Sequence, residues 1–562
     1  MNVLCRTTFL LCLCRWASGF LQAPVSVRPL KTQLATASVS TLNDTTTQST
    51  PQKSTGHSKW DNFDYLAHWY PVSWIDDVPA GIPQKMTLFD VDYAVVQDGK
   101  GKVMAFRDAC PHRQAALSEG RLTSTGYLMC AYHGWSFAAN GTCVEIPQSE
   151  AKSPWQYSAK ACAPAVPARI HQDLIWLWPG PVRDSYPDPP TVPEMDDPSF
   201  KATKVVRDFP MIDYSLLVSN ILDPDHGLYA HQATPFDMYV GSNEHPLRVK
   251  QEFPEGGWIL RSSVPAVAKL RKRDQDRRDA DTTTNKKKKA VVVGPTNASI
   301  AATSTFWAPT TVSLSRRDAD GQTKFVTAFW VVPTGTGQSR FLSAGVGRIP
   351  FAVPRWVQHI FLNAFLDQDS VLVASQQPPV LQAEAKQAQA FLAQSTETPS
   401  SSSNTPPKGL KFTARQDLFC YQSPTDKTVG VLDQFWDATL ARAPNRVPTL
   451  LALQQRGGLA HTPDRAIVLD RKVQHLDICP DSQGFVRNTR RIQLLSWSLT
   501  AVWLLLWRRG LPKQLGSVVW PVAGFSIGLA ARRLCQCFYY IYSKEKNQKK
   551  LATIPKLWLD PE

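Results

Sequence analysis

Cys110-Pro-His112 and, after seventeen intervening residues, Cys130-Ala-Tyr-His133-Gly-Trp135 form the run that most constrains what this chain can fold into. Two thiolates and two imidazoles, each Cys/His pair on its own short loop, are what a Rieske [2Fe–2S] centre requires. The cysteines hold one iron, and the neutral histidines hold the other and raise its potential. Pro111 keeps the first pair tight, and Gly134 lets the backbone approach closely after the second histidine. Tetrahedral zinc also takes two cysteines and two histidines. It usually pairs C-x2–4-C with H-x3–5-H, however, and does not alternate Cys and His in both halves.

At 562 residues the chain has room for two or three domains. Its net charge of +15 is partly local, since residues 269–289 hold ten Lys/Arg against four Asp with almost no apolar side chain. That composition reads as a surface insertion, and the absence of interleaved aromatic residues argues against nucleic acid as a partner. A second low-complexity stretch lies at 396–408. The eleven cysteines are scattered in a way that does not suit a secreted disulfide framework.

Residues 1–19 read as a signal peptide and 20–58, rich in Ser, Thr and Gln, as a plastid transit peptide. Ordinary secretion is the alternative. Residues 59–185 are expected to form the Rieske domain, with runs such as Lys85–Val96 and Leu174–Trp178 as strands. Residues 186–455 are expected to form a second, catalytic domain with insertions near 269–297 and 396–408. There the strand-like 324–333 and the helix-like 356–377 imply α+β architecture, with helices on an antiparallel sheet. A linker (456–490), a transmembrane hairpin (491–533) and a basic tail (534–562) complete the expected order. The hairpin rests on the apolar runs 492–507 and 515–531, each slightly short of a full span, and a buried helical pair is the alternative.

A cluster alone is an electron relay, so a partner centre is needed. Asn220-Ile-Leu-Asp223-Pro-Asp-His226-Gly-Leu-Tyr-Ala-His231 supplies two histidines five apart, able to face one centre if the helix loosens near Pro224 and Gly227. With one carboxylate they would complete the facial triad of a mononuclear Fe(II) site that leaves positions open. The third ligand must come from elsewhere. Asp369, in Phe365-Leu-Asp367-Gln-Asp369, is the choice, and Asp367 is the competitor.

These motifs together resemble the pheophorbide a oxygenase family of membrane-anchored plastid Rieske oxygenases. Further support comes from His68-Trp-Tyr-Pro-Val72, Gly141–Gln148, Pro354-Arg-Trp356 and the C-terminal apolar pair. That family includes translocon-associated and protochlorophyllide-dependent relatives. The resemblance implies an oxygenase with a Rieske cluster and mononuclear Fe(II), and a chlorophyll-derived tetrapyrrole as substrate, with a carotenoid or sterol left open. It also implies dioxygen as co-substrate, ferredoxin as external donor, a homotrimer, and a thylakoid or inner-envelope membrane. In the family, the residue at Asp223 would join a Rieske histidine of a neighbouring subunit to an iron-ligand histidine. A local helix cap is the plainer role for it. The rival reading of the whole chain is a non-catalytic redox-sensing Rieske subunit of a plastid translocon. The chain departs from the family at His475-Leu-Asp-Ile-Cys479-Pro-Asp-Ser482, where many members carry Cys-x2-Cys, so a local dithiol switch is not expected here.

Overall fold

The structure, a computed structural model, describes residues 58–149, 158–231, 247–255, 257–267, 300–318, 320–348, 353–394, 409–509 and 519–539. The expected signal peptide, the transit peptide up to 57, both insertions and the tail beyond 539 lie outside the described residues.

Among the described residues the strands form four antiparallel sheets. Three are small and lie in the first part of the chain. One of these joins Gln84–Leu88, Val91–Gln97, Val103–Arg107 and Ala165–Val166. The run expected as one strand from Lys85 is therefore a hairpin. Phe89 and Asp90 take left-handed φ values of 53° and 60°, as a two-residue turn demands, and the chain reverses there. A second small sheet, Arg121–Leu122 to Cys143–Glu145, carries one cluster loop and flanks the other.

The fourth sheet has seven strands, running Lys201–Phe209, Gln338–Gly347, Thr323–Gly335, Thr311–Arg317, Ile300–Trp307, Ile259–Val267 and Arg248–Glu252. Helices pack on it, which gives the expected α+β arrangement. Helix α1 (Tyr214–Leu222) is capped by Asp213, whose carboxylate accepts from the Ser215 N–H at 3.1 Å. It stops where it does because Pro224 drives Asp223 out of the helical region, to φ −75° and ψ 113°. The chain turns once and restarts as α2 (His226–Ala230). Helix α3 (Arg355–Gln394) extends well past the stretch expected from sequence, and α4 is Asp426–Thr439.

One apolar core runs through both parts, from Trp60, Trp74 and Trp176 to Trp330 and Trp436. Trp74 meets Trp330 edge-on at 5.4 Å and donates its indole N–H to the Val205 carbonyl at 2.9 Å. The Phe89–Asp90 turn docks on the large sheet through backbone bonds to Pro333 and Thr334.

The expected linker is folded. It carries short helices at Arg465–Val468 and Arg471–Gln474, and Gln474, His475 and Leu476 are buried. The apolar C-terminal runs form α5 (Pro480–Arg508) and α6 (Val519–Gln536), which pack on each other. The spanning character expected of this hairpin finds no support, and residues 510–518 between its helices lie outside the described residues. Among the described residues no helix is long and apolar enough to cross a membrane. The reason lies in α5, where arginines 487, 490 and 491 precede the apolar run and Arg508 ends it.

Candidate metal centres

The two loops that carry the cluster residues share one backbone design. The Cys110 N–H donates to the Ala115 carbonyl and the Cys130 N–H to the Trp135 carbonyl, each at 2.8 Å. In the opposite sense Gln114 and Gly134 donate back to the carbonyls of Cys110 and Cys130. Each loop must therefore reverse at its fifth position. Gln114 and Gly134 do so with φ of 61° and 77°. At Gly134 a Cβ would also lie 3.0 Å from the Pro147 ring, so this glycine serves a turn and a close approach together.

The loops bring the four expected residues together. Cys110 and Cys130 are buried neighbours, and burial first, then the Cys130 thiol, raises the Cys110 thiol to about 11. A cation is what such a pair needs to ionise. The His112 and His133 rings lie 4.5 Å apart, and His112 stacks flat on Trp135 at 4.7 Å. His112 Nδ1 is buried without a hydrogen-bond partner, a lone pair that a bound metal would satisfy. Burial, then His133, keeps this imidazole below its usual pKa and so neutral. The donor set fits a [2Fe–2S] cluster.

The second centre sits where α1 breaks. His226 begins α2 and His231 ends it, so a helix of five residues sets their spacing. Asp369 comes from α3. The His226 Nδ1–H donates to the Asp223 carbonyl at 2.7 Å, which fixes the tautomer and leaves Nε2 as a lone pair. Nε2 of His226 and Nε2 of His231 each lie 3.8 Å from Asp369 Oδ2. The ligand atoms of all three residues are within 4.8 Å of one another. His231 stacks on Phe365 at 3.7 Å, and burial lowers its pKa despite Asp369 nearby. The set fits a mononuclear iron with open positions.

Asp367 is directed elsewhere. It pairs with Arg207 and Arg471, each at 2.7 Å, and is spent on buried ion pairs. Asp223 is placed as a cap. Its Oδ1 accepts from the backbone N–H groups of Asp225 and His226 at 2.8 and 3.3 Å. Within the chain the expected carboxylate bond to an iron-ligand histidine is not made, because the main-chain carbonyl of Asp223 takes that role. Two supports were not singled out from sequence. Asn220 donates its amide N–H to Asp369 Oδ2 at 2.9 Å, and Phe365 seats His231. The signal for Asn220 was its place on α1, one turn before the break.

Residues 68–164 match the family model of the Rieske [2Fe-2S] domain, and residues 306–387 match that of pheophorbide a oxygenase. By these two matches the chain is similar to the pheophorbide a oxygenase family. The chloroplastic pheophorbide a oxygenase of Oryza sativa is 36% identical over 218 residues, which is 34% of this chain and 41% of that protein. The Arabidopsis thaliana protein of the same name is 26% identical over 520 residues, 86% of this chain and 83% of that one. The protochlorophyllide-dependent translocon component 52 of Arabidopsis is 31% identical over 349 residues, 57% of this chain and 61% of that protein. The match thus spans less than two thirds of the rice protein and of the translocon component. The cofactors that the domain match and the two donor sets support are a Rieske cluster and a mononuclear iron.

Proposed function

We propose that this chain is a member of the pheophorbide a oxygenase family and a Rieske-type oxygenase, using dioxygen and external electrons to oxygenate a chlorophyll-derived tetrapyrrole. The observation that carries the reading is the convergence of His226, His231 and Asp369 in a chain that also holds the four Rieske residues. Three protein donors on one side leave coordination positions free, which an electron carrier or a redox sensor would not need. When bound, the cluster supplies electrons and the iron supplies dioxygen activation. The chain's own part is orientation. The Asp223 carbonyl holds His226 in one tautomer, Asn220 holds the Asp369 carboxylate, and Phe365 holds the His231 ring.

The substrate class follows the names of the relatives from rice and Arabidopsis, as does a plastid location. Ferredoxin is the proposed donor and a homotrimer the proposed assembly. In the trimer the Asp223 carboxylate would meet a Rieske histidine of a neighbouring subunit. The proposed membrane contact is the α5–α6 hairpin, whose Leu494, Leu499, Leu505 and Ile527 are exposed and more than half accessible. Side chains of that kind on the outer face of a helical pair suit lipid better than water.

The deciding experiment gives the reduced protein labelled dioxygen and candidate tetrapyrroles, and follows the label into product. Label is expected in product with the native chain and not with His226→Ala. Product formation that survives this substitution overturns the assignment.

A further inference from the structure

A third group of metal-ligating side chains converges away from both centres. His359 on α3, His475 just after the helix Arg471–Gln474, and Cys479 at the start of α5 are all buried. Their donor atoms lie within 4.8 Å of one another. Each imidazole has one nitrogen committed to the backbone. His359 Nε2 is 3.0 Å from the Lys204 carbonyl, and His475 Nδ1 is 2.7 Å from the Val206 carbonyl. A carbonyl only accepts, so those nitrogens carry the protons. His359 Nδ1 and His475 Nε2 are left as inward lone pairs. Ring N–H groups fixed by carbonyls, with the other nitrogen free, is how ligating histidines are oriented around a metal.

Two further groups face these lone pairs. The Ser482 Oγ lies 2.8 Å from His359 Nδ1 and 2.9 Å from His475 Nε2. The Cys479 Sγ lies 3.7 Å from His359 Nδ1. A hydroxyl has one proton and can serve one lone pair, so with the Ser482 proton on His475 Nε2 the Cys479 thiol proton is left for His359 Nδ1. The nitrogen–sulfur separation is near the ~3.5 Å expected between ligands of tetrahedral zinc, given Zn–N of about 2.0 Å and Zn–S of about 2.3 Å. The nearby cations do not oppose a dication, because Arg355 is paired with Asp77 and Asp481 and Arg207 with Asp367. Cys479 immediately precedes the first turn of the long helix α5, but burial raises its free thiol to about 11, so it ionises only with a cation beside it.

We propose that His359 Nδ1, His475 Nε2 and the Cys479 thiolate form a structural site for a borderline-soft divalent cation of the zinc class, with the Ser482 oxygen or a water as fourth ligand. Binding releases the Cys479 thiol proton and changes no oxidation state. The ion joins the helix that carries Asp369 to the base of the hairpin, against carbonyls of the strand Lys201–Phe209. The site is independent of the oxygenase reading.

The test measures zinc and iron by elemental mass spectrometry in the purified full chain with its cluster intact. It also titrates the zinc-stripped protein with cobalt(II) and records difference spectra. One zinc per chain is expected, together with a thiolate-to-cobalt charge-transfer band. Cys479→Ala and His475→Ala should lose both while keeping the cluster absorption. Ser482→Cys should bind cobalt more tightly and strengthen the band. A folded native chain that holds no zinc and gives no cobalt band overturns the proposal, whatever the variants do. So does full zinc retention in Cys479→Ala.

Discussion

The choice between Asp367 and Asp369 shows what one residue can and cannot reveal. Both are acidic, both lie on α3, and they are two positions apart, so composition treats them alike. What separates them is the partner. Arg471, which holds Asp367, is 104 residues away in sequence, whereas Asn220, which holds Asp369, is 149 away. The Cys-x-His and Cys-x2-His pairs were legible because their ligands are local, and His226 with His231 for the same reason. The grouping of His359 with His475 was not legible, since each stands alone in its own segment. Two outcomes follow for the iron site. Asp369→Ala should empty the mononuclear centre while the Rieske absorption persists, as iron analysis with visible spectroscopy would register. Asn220→Ala removes only the bond that orients the carboxylate, and iron affinity should fall about 10–100-fold, measured by competition with a chelator.

At the level of elements, α1 has to start in register for its broken end to present the histidines. Its start is fixed by buried charge. Asp213 pairs with Arg446 at 2.6 Å, and Arg446 shares Glu384 of α3 with Arg415. Removing one member leaves cations buried without their counter-charge. Glu384→Gln should therefore cost about 3–5 kcal/mol in chemical denaturation. Burial alone would raise the Asp213 carboxyl, but Arg446 and the Ser215 bond win and hold it below its usual value of 3.8. Its unfolded form thus binds protons at higher pH than its folded form. The stability it contributes is complete above about pH 4 and is lost as pH falls through the depressed value. Acid titration of the native chain should show this group's share lost only below the ordinary carboxylate range, and Asp213→Asn should remove it. The hairpin is an element of another kind, with α5 and α6 meeting through glycine. A Cβ on Gly528 would sit 2.2 Å from the Trp497 ring and one on Gly524 2.5 Å from the Thr500 hydroxyl. Gly528→Leu should push the helices apart, and amides of both should exchange hydrogen faster than in the native chain.

Across the whole molecule, α+β architecture was readable from periodicity, because strand-like runs such as 324–333 give way to helix-like ones such as 356–377. The joining of the two parts was not, since nothing in Trp74 or Phe89 announces a partner some 250 residues on. Nor did the apolar runs at the C-terminus disclose how far the arginines of α5 would extend into the same helix. The proposed membrane contact can be tested on its exposed face. A lysine placed on an apolar face that contacts lipid opposes that contact, so Leu499→Lys with Leu505→Lys should release the protein from plastid-lipid vesicles in a flotation assay, with both metal centres intact.

The shared core has a final consequence, for traffic of charge. Trp74 is wedged against Trp330, and the tip of the first hairpin is stitched to Pro333 and Thr334. A Rieske head that swung between donor and acceptor would have to tear this seam open at every turnover. Among the described residues, then, the seam leaves the Rieske part no free arm, and on the proposed function the electron's route would be set by which subunits stand side by side.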